Sequence, residues 1–281
     1  MKHREFEWLS RDNKKIYAQL WEPDKKPSLV VNIIHGFGEH SGRYERWAEL
    51  FTREKIAVLA SDLEGHGKSV GKRGDIKNYQ LFLDQIDLQL EKSNELFPDT
   101  GRILYGHSMG GNLVMNYAMS KDPPIIALIA SSPWLRLAFE PPPHMILLAK
   151  IFRPLFPGLM VQGKIENADR SHDPVINLAA KDDLLMYRMI SLRLFHQVSI
   201  KGLYAIRNIY KINRPFLLMH GNADRITSHE ASIELVANTS KNTRLKIWDG
   251  LYHELHNEFE YKEIFNYIMS WLKEMKIYNH G

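Results

Sequence analysis

The stretch Leu104-Tyr105-Gly106-His107-Ser108-Met109-Gly110-Gly111 decides how the chain is read. A short apolar run, Arg102 to Tyr105, enters it, and a helix-forming run, Asn112 to Ser120, leaves it. Gly-x-Ser-x-Gly between a strand and a helix is a sharp turn that lifts the serine hydroxyl out of the top of a sheet, where it is a candidate nucleophile. The glycines have a steric reason to be there. Side chains at Gly106 and Gly110 would collide where strand and helix pass closely. Alone, the pattern fits an ordinary glycine-containing turn equally well. Its reading depends on whether the chain also supplies an acid, a base and oxyanion donors.

Upstream, Phe6 to Leu9 and Lys15 to Trp21 read as short strands separated by the turn Ser10-Arg11-Asp12-Asn13. Leu29 to Ile34 is a buried strand that runs into the glycine-rich loop His35-Gly36-Phe37-Gly38-Glu39-His40-Ser41-Gly42-Arg43-Tyr44. Such a loop lets backbone N–H groups approach a ligand. Trp47 to Thr52 has helical spacing. Ile56 to Ala60 is the next strand, ending in the polar loop Ser61-Asp62-Leu63-Glu64-Gly65-His66-Gly67-Lys68-Ser69. Tyr79 to Phe97 is helical and stops at Pro98.

Downstream, Ile125 to Ala130 is a strand closing with Ser131-Ser132-Pro133-Trp134. The alternation then breaks. From about Leu135 to Gly202 no strand is evident, and Pro141-Pro142-Pro143 interrupts short apolar helical pieces such as Met145 to Leu148, Ile151-Phe152, Leu155-Phe156 and Leu159-Met160. Two readings stand: a helical subdomain with its own small core, or a lid whose apolar inner face covers a lipophilic pocket. The pattern resumes with the strand Phe216 to Met219, the helix Glu230 to Ala237, the strand Arg244 to Trp248 and a last helix to about Met275. The expectation is an α/β fold with a mostly parallel central sheet flanked by helices. Its core is split into residues 1–134 and 203–281 by a helical lid over 135–202. Functional residues should gather at loops beyond the carboxyl ends of the strands.

Composition narrows the class. A length of 281 residues suits one large domain with an insertion, and 44% apolar with 25% charged residues is ordinary globular chemistry. The net charge of +4 is spread in pairs such as Lys14-Lys15, Lys25-Lys26 and Lys72-Arg73, not in the long basic block expected of a nucleic-acid binder. There is no cysteine, which removes disulfides, thiolate metal sites and cysteine nucleophiles. The N-terminus lacks an apolar signal core, and no apolar run is long enough for a bilayer. The expectation is a cytoplasmic protein, with peripheral, transient contact to a membrane surface through the insertion left open.

Serine is a poor nucleophile unless a base takes its proton and a third group orients that base. After Ser108 the expected order is acid, then histidine. Asp224 follows the strand Phe216 to Met219, and His253 follows the last strand. Asp62 and Asp249 also follow strands; Asp62 precedes the serine, and Asp249-Gly250 reads as a turn. His35, His66 and His107 read as loop histidines bonded to backbone. His256, about one helical turn after His253, sits later than a base requires but close enough to line the site. Oxyanion donors would come from the N–H of Met109 and from the His35-Gly36-Phe37-Gly38 loop.

Six motifs together resemble the monoacylglycerol lipase/lysophospholipase family of α/β-hydrolases. They are His35 to Tyr44, Asp62 to Ser69, Gly106 to Gly111, Ser131 to Trp134, Asn222-Ala223-Asp224-Arg225 and Tyr252 to His256, in register over nearly the whole chain. The resemblance implies the α/β-hydrolase fold with Ser108, Asp224 and His253 as triad and the N–H groups of Phe37 and Met109 as oxyanion hole. It implies Glu39, Arg43 and His256 at the polar end where glycerol sits, although Glu39 and Arg43 equally suit an ion pair that holds the oxyanion loop. Ser171-His172-Asp173-Pro174 and Asp183-Leu184-Leu185 resemble the family lid, whose remaining sequence matches least.

The expected activity is a serine esterase that hydrolyses monoacylglycerols or lysophospholipids through an acyl-enzyme, with a small lipid ester as its partner and no metal or organic cofactor. A carboxylesterase or thioesterase and a serine aminopeptidase are the alternatives on the same triad. A non-catalytic ligand-binding member of the fold would need a broken triad. Oligomeric state and acyl-chain length are not legible.

Overall fold

The computed structural model describes residues 1–140, 151–163, 166–239 and 242–278. Eight strands form one sheet: β1 (Lys2–Leu9), β2 (Lys15–Glu22), β3 (Leu29–Ile34), β4 (Ile56–Ser61), β5 (Gly101–His107), β6 (Ala127–Ser131), β9 (Phe216–Gly221) and β10 (Thr243–Trp248). Their spatial order is β1-β2-β4-β3-β5-β6-β9-β10. β1 and β2 pair antiparallel, β2 runs antiparallel to β4, and every pair from β4 to β10 is parallel. This is the mostly parallel sheet that the alternation of strands and helices predicts, and it fits the α/β-hydrolase fold that the resemblance implies.

Both faces of the parallel strands are covered, which is why they read as nearly continuous apolar runs. Along β3, Leu29, Val31 and Ile33 pack with Trp47, Phe51 and the helix Tyr261–Glu274 on one face, while Ile34 joins the helices Gln80–Leu96, Met109–Ser120 and Leu192–Asn208 on the other. β5 and β9 alternate in the same sense, with Ile103, Tyr105, Leu217 and Met219 on the first face and Leu104, Phe216 and Leu218 on the second.

Register sets the site. Ile34 of β3 stands opposite Gly106 of β5, His107 opposite Ser131 of β6, Ser131 opposite Met219 of β9, and His220 opposite Ile247 of β10. The loops after β3, β5, β9 and β10 therefore open on one edge of the sheet. The chain departs from β3 to β4 on one side and returns to β5 on the other, and the crevice at such a reversal is where open α/β sheets place ligands.

The segment between β6 and β9 departs from the expectation in three ways. It contains a two-stranded antiparallel pair, β7 (Met160–Gln162) with β8 (Met189–Ser191), where no strand was expected. Three residues per strand are too few to show a period of two, and the partners lie far apart in sequence. The boundary at Gly202 falls inside one continuous helix, Leu192–Asn208, whose Leu194, Val198, Ala205 and Ile206 join the main core. Gly202 itself passes so close to Leu135 that a Cβ would sit 2.3 Å from its carbonyl oxygen. Finally, Ile151, Phe152, Leu155, Phe156 and Leu159 are exposed, so they build no core of their own. Pro141 to Pro143 and Met145 to Leu148 lie outside the described residues.

One of the tightest approaches in the fold is at Gly110, where a Cβ would lie 2.0 Å from the carbonyl oxygen of Ile34 and 2.6 Å from that of His35. Gly110→Ala should therefore cost at least about 1–3 kcal/mol by overpacking against unyielding backbone. Gly250→Ala, in open space but at φ 72°, should cost only about 1–2 kcal/mol from the left-handed backbone. Urea unfolding of both variants checks the order, and a Gly110→Ala protein as stable as the wild type contradicts it.

Candidate active site

Ser108 caps the helix Met109–Ser120 with φ 54° and ψ −116°, a conformation of order 1–3 kcal/mol above the usual wells for a residue with a Cβ. Its backbone is held from both sides. Its N–H donates to Ser131 O at 2.9 Å, and its carbonyl accepts from Trp134 N at 2.9 Å and Asn112 N at 3.0 Å. The elbow can be this sharp only because Gly106 and Gly110 touch, with 2.3 Å from a Cβ at Gly106 to Gly110 O.

His253 and Asp224 meet across the ends of β10 and β9, with Nδ1 of His253 2.7 Å from Oδ2 of Asp224. A carboxylate only accepts, so Nδ1 carries the proton and Nε2 keeps a lone pair. Asp224 is over-determined. Oδ1 accepts from Ile226 N at 2.7 Å and Thr227 N at 3.0 Å, while Oδ2 also accepts from Thr227 Oγ1 at 2.9 Å and His220 Nε2 at 3.0 Å. Burial would raise this carboxyl, but His253 and the hydrogen bonds from His220 and His253 hold it well below the usual carboxylate range. The His253 ring lies 4.7 Å from that of His107, the residue before Ser108. No hydrogen bond from the Ser108 hydroxyl is formed among the described residues. Such bonds are often long before substrate arrives.

The loop after β3 lies against the elbow: a Cβ at Gly36 would be 3.1 Å from Ser108 Cβ. Its next N–H, that of Phe37, makes no hydrogen bond among the described residues, and Met109 opens its helix, so its N–H has no intrahelical acceptor. Two donors are thus left beside the serine. The insertion clamps this loop. Tyr187 N donates to Gly38 O at 3.1 Å, the Tyr187 ring meets Phe37 edge-on at 5.4 Å, and His40 pairs with Asp183 at 2.7 Å.

Glu39 points inward, accepting from Gly36 N at 2.5 Å and Tyr44 Oη at 2.9 Å, with Arg43 Nε 3.2 Å away. Burial would raise its carboxyl, but His107 and Arg43 bring it down to about 2. Arg43 also pairs with Glu254, which accepts in addition from Arg170 at 3.0 Å and Asn257 at 2.8 Å. His256 stacks on Tyr44 at 4.7 Å and lies 4.9 Å from His107; neither ring nitrogen has a hydrogen-bond partner among the described residues, and burial lowers it to about 4. All three residues linked by resemblance to a glycerol site are therefore gathered behind the oxyanion loop, with Glu39 and Arg43 engaged in holding it.

The rivals fall elsewhere. Asp62 binds Ser41 N and Oγ and Lys68 N, fastening its own loop. Asp249 bonds Asn222 on an exposed turn. His35 bonds Gly36 O through Nδ1 and accepts Leu63 N through Nε2, and His66 bonds Glu64 O, so both tie backbone together. Thr227, His220, Glu254 and Arg170 escaped the reading of the sequence. Thr227 and His220 stand within four residues of Asp224 and Glu254 adjoins His253, but nothing local marks Arg170. Among the described residues, no three His, Asp or Glu side chains converge to hold a metal ion.

Comparison with known proteins gives the family. A family model described as serine aminopeptidase, S33 (Hydrolase_4) matches residues 25–260. An uncharacterised abhydrolase domain-containing protein of Dictyostelium discoideum is 33% identical over 95% of this chain, which spans only 28% of that protein's length. A monoacylglycerol lipase of Mycolicibacterium smegmatis is 30% identical over 92% of each chain. The crystal structure of Paleococcus ferrophilus monoacylglycerol lipase is similar with a TM-score of 0.81 and 29% identity, over 98% of this chain and 100% of that one. With the serine at a strained elbow and a family match over most of its length, the chain belongs to the Hydrolase_4 family of serine hydrolases, on the α/β-hydrolase fold.

Proposed function

We propose that the chain hydrolyses monoacylglycerols or lysophospholipids with Ser108 as nucleophile, His253 as base and Asp224 as its orienting acid. The observation that carries this reading is the 2.7 Å His253–Asp224 bond, which leaves Nε2 unprotonated, on a ring 4.7 Å from that of His107, the neighbour of the positive-φ serine. His253 takes the Ser108 proton as Oγ adds to the ester carbonyl. The N–H groups of Phe37 and Met109 receive the oxyanion, and the protonated His253 then donates to the departing glycerol oxygen. Water, deprotonated by the same imidazole, opens the acyl-serine and releases the fatty acid. Asp224 stays ionised throughout and stabilises the imidazolium. No step calls for a metal or an organic cofactor.

The lipid ester is favoured by the names of the Mycolicibacterium and Paleococcus proteins, both monoacylglycerol lipases. The family description favours a serine aminopeptidase as second reading. Against it, two acidic residues of the insertion that could hold a free amino terminus are engaged elsewhere, Asp183 with His40 and Asp173 at the cap of the helix Pro174–Asp182. We place the lid within residues 135–202. Its exposed Leu155, Phe156, Leu159, Leu178 and Leu184 suit transient contact with a lipid surface. No helix of the described residues is long and apolar enough to cross a membrane.

A fluorophosphonate should label Ser108 in the wild type and nothing in Ser108→Ala; a wild type that resists the probe argues for a binding module. Released fatty acid and glycerol should be detected from monoacylglycerols, and turnover of aminoacyl anilides with inert monoacylglycerols would move the substrate class to peptides. Asp224→Asn should lower kcat by roughly 10⁴-fold, the size typical of a triad aspartate, while Asp249→Asn leaves it near wild type; the reverse result reassigns the acid.

Glu39→Gln separates two roles. If Glu39 holds the oxyanion loop, kcat falls even for esters without glycerol; if it only reads the head group, KM rises for monoacylglycerols alone. The fold also draws stability from this carboxylate. Its folded value of about 2 lies below its usual 4.5, so the contribution is present above pH 4.5 and lost as pH falls towards 2. Acid unfolding of Glu39→Gln should be correspondingly flatter over that window.

A further inference from the structure

Four buried charges form a chain across the back of the site. Glu39 holds the Gly36 N–H, Arg43 lies between Glu39 and Glu254, and Arg170 lies on the far side of Glu254. Their side chains are 2%, 9%, 0% and 7% exposed in that order, so none is screened by bulk water. Three belong to the core loops. Arg170 alone comes from the insertion, and it grips the residue after His253 twice: Glu254 N donates to Arg170 O at 2.7 Å, and Arg170 Nη1 donates to Glu254 Oε1 at 3.0 Å.

We propose that Arg170 is a positioning residue for acyl transfer, completing a two-plus-two charge balance that lets the insertion hold the base loop and the oxyanion loop in one register. The inference rests on Ser108, His253 and the Phe37 and Met109 N–H groups acting as proposed above. Burial would raise the Glu254 carboxyl, and Arg43 and Arg170 hold it well below the usual range, so both carboxylates are ionised and matched by two guanidinium groups. Removing Arg170 leaves two carboxylates around one guanidinium in a dry site.

The excess negative charge falls where it harms the reaction. It lies behind the Gly36 amide, next to the donors that must receive an oxyanion, and in the same buried cluster as His107 and His256 beside His253. His253 is faced by Asp224 from the loop after β9, by His107 from β5 and by His256 from its own loop, while Glu254 adjoins it only in sequence. Added negative charge favours the protonated imidazole, which is useless as a base. Arg170 itself is buried against Glu254 rather than open to a ligand. Substrate affinity should therefore change little while turnover falls.

The test measures the rate of fluorophosphonate labelling of Ser108 from pH 5 to 9, with kcat and KM on a short-chain nitrophenyl ester. The proteins are the wild type, Arg170→Met, Arg170→Lys, Glu254→Gln and the double variant Arg170→Met/Glu254→Gln. Arg170→Met should label and turn over roughly 10- to 100-fold more slowly, the cost of a small misplacement of reacting groups, with KM nearly unchanged and the acidic limb of the profile moved to higher pH. The double variant restores charge balance, leaving Glu39 with Arg43, and should recover part of the rate and return the limb towards wild type. Arg170→Lys keeps the charge and should leave the limb in place; if Arg170→Met does not fold, this variant and Glu254→Gln carry the comparison, and Glu254→Gln should slow labelling without raising the limb. An unmoved limb in Arg170→Met, or losses that simply add in the double variant, overturn the proposal and reduce Arg170 to packing. A wild type that does not label overturns the triad reading instead.

Discussion

Packing the helix Met109–Ser120 across the end of β3 leaves less than a methyl group of room at Gly110, and the rest of the site depends on that crossing. The strand must turn into the helix within one residue, and Ser108 takes the strain at φ 54°. Hydrogen bonds to Ser131, Trp134 and Asn112 keep it there. The same crossing brings the loop after β3 against the serine, so one steric contact sets both the elbow and the neighbouring loop. A hydroxyl so presented is useful only beside a base in the right tautomer, and the loops after β9 and β10 bring Asp224 and His253 to the same edge of the sheet because the strands are parallel and in register.

Around this frame the protein buries an unusual amount of charge. Glu39, Arg43, Glu254 and Arg170 would each be costly in isolation, and they are tolerated because every carboxylate faces a guanidinium and accepts hydrogen bonds as well. Such pairs add little net stability, but they are directional, and here they join three loops that must keep a fixed relation during catalysis. Asp224 follows the same logic, with four donors to two oxygens besides His253.

The insertion is more tightly bound to the core than a hinged flap would be on this side. Arg170, Ser171 and His172 fasten it to the histidine loop through Glu254 and Glu258, and Asp183 and Tyr187 fasten it to the oxyanion loop. The helix Leu192–Asn208 completes the core face that the helix Met109–Ser120 begins. The outward surface of the insertion carries the exposed Leu155, Phe156, Leu159, Leu178 and Leu184.

What the sequence by itself determined is the part written in local chemistry. The alternation of apolar strands with helices determined the sheet. Glycines at Gly106 and Gly110 marked the elbow, and Asp224 and His253 each follow a strand in the order expected of an acid and a base, which the structure brings within 2.7 Å of each other. Strand ends were read one to four residues off, since Gly101, Glu22 and Gly221 look like turn or solvent residues until a neighbouring strand pairs with them. Only the tertiary structure brings Glu39 onto the Gly36 N–H of its own loop, and only there does Arg170 meet Glu254, 84 residues away. The β7–β8 pair and the helix running through Gly202 belong to the same class. A buried charge is identified by its partner, and when that partner comes from a distant loop no pattern of nearby residues records the pairing.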